Sequence, residues 1–551
     1  MVAGWEATGV GRLRFRFPFW LGVLAAAHGA AAAPFVFHRG VVNAASYLPA
    51  GLPNGSIARG SIFSLFGREL GPATPATVSA FPLQTTLAGV AVEVCQGGAC
   101  ADALPLFVSA SQINAVMPSD APLGAVSIRV RADGQAGNFT PAAVVSSSVG
   151  VFAVSSAGFG PGIVQNYLAA DNQPINSATR TARPGQVVTL WATGLGPALN
   201  ADNVAPQAGD LPIQVEIFVG GKAVTHKLYS GRSPCCAGVD QIVFEIPADA
   251  PLGCYVPVAV RTGAAVVSND VTISLSGDGG PCSDAEGAAG AALRQGGKLG
   301  GLTVTRGRLT TTAGPVGADT LEALFTEERG GPWAYQPLYS PPPAGACAVS
   351  AGRGDAESGL PPVRTLDAGA TAYIERGGRS LGMALPSPGR GLAGVASSAA
   401  NGASASLLDA AGPFTAGVTG GTDAPAFTVG LQSPAAASWN NRAALAVVDR
   451  AREATLTWAP PAEGGVSVWI AGHARSRADD ATARFLCRVP DGATSFTIPT
   501  AVLGRLPAAE AGPDAGLALI FERRTENPPP PGLDFLQAIA ASAALQVPRY
   551  Q

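Results

Sequence analysis

The stretch GRSLG (Gly378 to Gly382) has the G-x-S-x-G spacing of a nucleophile elbow, which would make Ser380 an acyl-transfer nucleophile. His473 is the only histidine in that part of the chain and would serve as base, with Asp409 or Asp423 as the acid. An elbow needs a strand before the serine and a helix after it. TAYIE can supply the strand, but MALPSPGRG cannot continue as a helix, because proline lacks the donor and clashes with the preceding turn. These residues predict a turn serine and no enzyme, with a serine hydrolase as the alternative.

Other chemistry-bearing patterns read the same way. GFGPG (Gly158 to Gly162) hints at a phosphate loop, but such loops need a helix N-terminus facing the phosphate, and IVQNYLAADNQPIN reads as a hairpin. RGD (Arg353 to Asp355) reads as a charged, solvated turn. Asp240, Asp249, Asp479 and Asp480 fall on turns, and Asp120 and Asp249 occupy equivalent positions, where an aspartate caps backbone N–H groups. A calcium site between turns is the sharper alternative. Trp458 and Trp469 fit buried strand positions better than exposed sugar platforms. No cofactor or metal is expected.

The eight cysteines carry the clearest chemistry: Cys95, Cys100, Cys235, Cys236, Cys254, Cys282, Cys347 and Cys487. They contain no C-x-x-C pair, and His38, His226 and His473 are the only histidines beyond the first 33 residues, so zinc is disfavoured. An even count in an exported chain reads as disulfides. Cys95 and Cys100 flank the turn QGGA and predict a stapled hairpin. Cys235 and Cys236 are adjacent, and a bond between them is possible but strained, so they are expected to bond separately, one to Cys254 and the other to Cys282, in either order. A vicinal redox pair is the alternative for these two. Cys347 and Cys487 remain as partners across the last region.

Export is read from the N-terminus. Arg12, Arg14 and Arg16 precede the apolar FPFWLGVLAAAHGAAAAPFVF, with small residues at an A-x-A site near Ala32, the pattern of a secretory signal. The C-terminal FLQAIAASAALQV is too short to cross a bilayer as a helix, so no stable transmembrane segment is expected after cleavage. The net charge of −3 gives no basic footprint for nucleic acid.

The elements that must position these residues are strands. Only 13% of the 551 residues are charged, while 70 Gly and 46 Pro supply turns, a composition for short strands rather than exposed helices. One module is written twice. GSIFSLFGRELGP (Gly60 to Pro72) aligns with GQVVTLWATGLGP (Gly185 to Pro197). SASQINAVMPSDAPLG (Ser109 to Gly124) aligns with GVDQIVFEIPADAPLG (Gly238 to Gly253), identical at eight of sixteen positions. Period-two alternation at Phe63 and Leu65, and at Val188 and Leu190, gives strands closed by Gly-Pro turns. Asn138 and Asn269 fall at nearly equivalent places before a last strand.

Together with VVNAASYLPAG and DQIVFEIPADAPLGCYVPVAVRTGAAVVSN, these blocks resemble the Solibacter-type C-terminal domain family of exported acidobacterial proteins. The resemblance covers about Gly40 to Ser276. It implies tandem IPT/TIG-like, immunoglobulin-like β-sandwiches in an exported setting, and no reaction.

The predicted chain is all-β: a signal over 1–33, a first sandwich over 38–150, a connecting hairpin and second sandwich over 151–276, a Gly/Ala-rich linker over 277–301, and a larger β-sandwich-like domain over 302–551. The predicted function is non-catalytic: adhesion, scaffolding or ligand binding outside the cytoplasm, through loops such as Ala73 to Phe81 and Leu199 to Asp210. A protein or glycan would be the partner. A secreted hydrolase or a carbohydrate-binding accessory protein is the alternative.

Overall fold

The computed structural model describes residues 32–263, 266–283, 288–311, 314–353, 363–385, 396–397, 406–408 and 410–551. Residues 1–31, and with them nearly all of the expected signal, lie outside this set, as do Asp409 and the last two residues of RGD. The described chain is all-β, built mainly from antiparallel strand pairs with few helical turns; Gly297–Thr311 and Phe535–Gln546 pair in parallel.

The first sandwich faces a sheet containing Phe35–Asn43, Ile62–Arg68, Gln112–Val116 and Leu104–Val108 against one containing Gln135–Val145, Gly124–Ala132 and Val90–Gln96. Phe63, Leu65 and Ile113 from one sheet meet Val92, Val94 and Ile128 from the other in its core. The second sandwich repeats the plan, with Val187–Thr193 and Asp240–Glu245 in one sheet and Val215–Val219 and Gly253–Thr262 in the other.

The duplication holds residue by residue in register. Leu65 pairs with Ile113 and Phe63 with Ala115, while Leu190 pairs with Ile242 and Val188 with Phe244. The large ring thus changes strands between the copies, which keeps core volume nearly constant. The two asparagines also repeat their work. Asn138 accepts from Val36 N at 2.9 Å and donates to Val36 O at 3.1 Å. Asn269 does the same for Val151, at 2.8 and 2.9 Å.

The third domain centres on a nine-stranded sheet. Its main path runs Cys347–Arg353, Ala481–Arg488, Ser467–Ser476, Ala515–Glu526, Phe535–Gln546, Gly297–Thr311, Gly314–Glu328 and Arg364–Thr365. One face packs on a four-stranded sheet (Arg379–Ala384, Thr371–Arg376, Gly412–Val418, Phe427–Ser433) at one end and on the pair Ala454–Thr457 and Ser495–Ile498 at the other. The alanine-rich C-terminal run FLQAIAASAALQ is an interior strand of this sheet. No helix among the described residues is long and apolar enough to cross a membrane.

The expected linker over 277–301 is not a free tether. Ala288–Gln295 forms an α-helix, because an alanine-rich run has the highest helix propensity, and it buries Leu293 against Leu299 and Tyr339. The sheet strand already begins at Gly297.

The domains are docked, not strung. Leu48 and Leu52 of the first module join the core of the third domain. Asp270 of the second module forms a buried ion pair with Arg505 at 3.0 Å and accepts from Val349 N at 2.7 Å. Trp333 donates to Asn176 O at 2.8 Å, and Tyr255 to Ala334 O at 3.1 Å.

Cystine pairing corrects one expectation. Cys95 bonds Cys100, and Cys347 bonds Cys487, but Cys235 bonds its neighbour Cys236, leaving Cys254 with Cys282. The cause is placement. Ala237, next to the vicinal pair, packs against Val116 of the first module, whereas Gly253, next to Cys254, faces Pro343 of the third domain.

Candidate functional site

The hydrolase residues are not assembled. Ser380 lies exposed in Arg379–Ala384, opposite Glu375 in a hairpin turned by Gly377 and Gly378. The serine is followed by more of its own strand, through Ala384, where an elbow would have a helix. His473 stands on the nine-stranded sheet instead. Asp423 is engaged elsewhere: its two oxygens accept from Arg364 at 2.7 and 2.8 Å, and Asp367 N donates to it at 2.9 Å.

The Arg364 guanidinium holds the Asp423 carboxyl down at about 2, below its ordinary value. A depressed carboxyl stabilises the fold above its unfolded value of about 4 and loses that contribution as pH falls through 2. Urea unfolding at pH 5 and pH 2.5 is expected to show a loss of about 1 kcal/mol from this group, after allowance for solvent screening, that Asp423→Asn does not show.

The remaining predicted positions serve structure. Gly158 and Gly160 of GFGPG abut Ser46 and Tyr335, and Gly158 O accepts from Asn269 at 2.8 Å; a strand follows, Val164–Asn166. Arg353 donates to Arg39 O. Asp249 pairs with Lys222, Asp480 with Arg475 and Asp479 with Arg39. No group of three metal-ligating side chains occurs among the described residues. Trp458 is core. Trp469 is 1% exposed, with Arg524 and Arg488 centred 5.4 and 5.9 Å from its ring, so it is no open sugar platform. Beside the expected binding loops, Leu83, just past the first, donates to Asn203 O of the second at 2.7 Å, and Asp202 of the second accepts twice from Ser119. Most residues of both loops are exposed.

Among the described residues, a cavity of about 530 Å³ lies on the face of the nine-stranded sheet opposite the Phe485 and Cys487 side chains. Strand register builds its floor. Ala348, Leu486, Ala471, Ala518 and Leu545 form one cross-strand row. Ser350, Arg484, His473 and Gly516 form the next. Small residues in both rows leave a trough where bulky pairs would fill it. Tyr335, Pro337, Ser340 and Pro342 make one wall. A side-chain carbon at Gly516 would stand 2.3 Å from His473 Cε1, so glycine is what lets the imidazole lie against the backbone there. The trough is thus apolar along its first row and polar along its second, where Arg484 and His473 stand side by side.

Of these residues the sequence singled out only His473. Arg484 and Leu486 alternate with Phe485 and Cys487, and that period-two signal was available.

No family model matches the chain, and comparison with curated proteins finds no match. Among solved structures, domains 5–6 of the S-layer protein SbsC are 12% identical at a TM-score of 0.17, covering 44% of this chain and 98% of that one. SGBP-B from a complex xyloglucan utilization locus in Bacteroides uniformis is 14% identical at 0.15, covering 53% and 66%. The Bacteroides ovatus mixed-linkage glucan SGBP-B, in complex with a heptasaccharide, is 10% identical at 0.13, covering 82% and 87%. At such TM-scores these likenesses carry no argument about this chain, and its functional reading rests on the groove alone.

Proposed function

We propose that this is a non-catalytic binding protein of the cell exterior, which seats an extended peptide segment in the third-domain groove while the two immunoglobulin-like modules brace that domain. One observation carries the reading: a trough of small and aliphatic residues, Ala348, Ala471, Leu486, Ala518 and Leu545, flanked by Arg484 and His473. That arrangement suits apolar side chains followed by an acidic side chain or a C-terminal carboxylate. A sugar chain would call for an open aromatic platform, a role closed to the buried Trp469. Four disulfides support an oxidising compartment. The resemblance of the modules to the exported Solibacter-type family stays part of this proposal.

A peptide library and a glycan array, screened with the mature protein, test the reading. Filling the floor with Ala471→Leu and Ala518→Leu is expected to weaken peptide binding by roughly tenfold or more, about 1.4 kcal/mol, without lowering the melting temperature. Arg484→Gln is expected to weaken acidic peptides and leave neutral ones unchanged. Glycan binding that survives the filled groove would overturn the proposal. So would ester or peptide hydrolysis that disappears in Ser380→Ala.

A further inference from the structure

The turn from Ser233 to Val239 links Lys227–Arg232 to Asp240–Glu245 and contains the bond between Cys235 and Cys236. Both cysteines are exposed. Each of the other three cystines has at least one buried half: Cys95, Cys254, and both Cys347 and Cys487. The vicinal pair is therefore the one that a dissolved thiol reaches most freely. Ser233 Oγ lies 3.2 Å from Cys235 Sγ.

The next residues of the turn form the joint between the modules. Ala237 is buried with Leu83, Leu104 and Val116 of the first module. Gly238 takes a left-handed conformation, and a side-chain carbon there would come within 2.6 Å of Ile62. Gly238 O accepts from Thr193 Oγ1 at 2.6 Å, and that hydroxyl accepts from Ile62 N at 2.8 Å. The vicinal bond closes a small ring through the peptide joining the two cysteines. It thereby fixes the backbone that presents Ala237 and Gly238 to the first module.

We propose that Cys235–Cys236 is a thiol–disulfide exchange site for small thiols and that its opening loosens the joint between the first two modules. A thiolate attacks one sulfur, forming a mixed disulfide and releasing the other cysteine as a thiolate. A second thiol then displaces the first cysteine. The net change is one protein disulfide and two thiols giving one protein dithiol and one small-molecule disulfide. The opened pair places two sulfurs on adjacent residues, which suits a thiophile that takes two thiolates, such as a trivalent arsenical.

The test titrates the mature protein with reduced glutathione, traps thiols by alkylation and maps them by mass. Cys235 and Cys236 are expected to label at roughly tenfold lower glutathione than any other cysteine, and the opened protein is expected to bind one phenylarsine oxide. Hydrogen exchange at Ile62, Val116 and Thr193 is expected to rise on opening, and to be equally raised in Cys235→Ser with Cys236→Ser, which binds no arsenical. Earlier labelling of Cys95 and Cys100, or opening without a change in exchange at the joint, would overturn the proposal. Groove binding of peptides is measured separately, so either proposal can fail alone.

Discussion

Replacing both Cys347 and Cys487 with alanine is expected to lower the unfolding free energy by about 5 kcal/mol, the largest loss of the four cystines. The two residues are separated by 140 positions yet stand directly opposite each other on adjacent strands of the nine-stranded sheet. A cross-link stabilises by shrinking the unfolded ensemble, and the effect grows with the logarithm of the loop it closes. Loop length orders the others too. Cys254–Cys282, separated by 28 positions, is expected to contribute about 3.5 kcal/mol, and Cys95–Cys100, separated by 5, about 2 kcal/mol. Cys235–Cys236 closes no loop beyond its own peptide and is expected to add little to global stability. Urea unfolding of the four double variants, without reductant, checks both the order and the spacing. Cys347 also ties the edge strand Cys347–Arg353 to its neighbour, and Ala348 and Ser350 of that strand help to floor the groove. Loss of the bond is therefore expected to fray one end of the binding trough before the domain unfolds.

The repeat was legible because its information is local. Alternation put Phe63, Leu65, Val188 and Leu190 on buried faces, and their partners on the neighbouring strands preserve the same pattern. Asn138 and Asn269 could be placed, but their purpose could not, since each bonds a valine more than 100 residues earlier. The groove was illegible for the same reason. Its floor draws from strands that begin at Cys347, Ser467, Ala481, Ala515 and Phe535, and only their lateral order makes rows of them. Composition misled at 277–301, where alanine and glycine suggested a tether. Propensity together with a single buried leucine, Leu293, makes a packed helix instead.

The Leu-Gly-Pro turn of the second module supplies the second large effect. Arg232 and Asp240 are buried together at 2.6 Å. Asp240 accepts from Leu195 N at 2.8 Å, and Arg232 donates to Gly196 O at 2.6 Å. The pair thus fastens the turn to the sheet. The first module has Ser111 where the second has Asp240, so this lock belongs to one copy. Burial raises the Asp240 carboxyl to about 6, with Arg232 opposing the rise. Arg232→Met removes that opposition and strands a buried carboxylate, which is expected to cost about 3–5 kcal/mol at pH 8. The sign of the pH response comes from linkage. A carboxyl raised above its unfolded value binds a proton in the folded state that the unfolded chain has already released, so stability falls as pH rises through the folded value. For the native protein this group's contribution is expected to decline between pH 4 and 6 and to level off above 6. In Arg232→Met the decline is expected to continue beyond pH 7 at up to about 1.4 kcal/mol per pH unit. Unfolding curves at pH 5, 6.5 and 8 distinguish the two. Parallel profiles would mean that Arg232 does not set the charge state of Asp240. Asp240→Leu in the Arg232→Met background is expected to recover most of the loss and to abolish the slope, because no buried charge then remains.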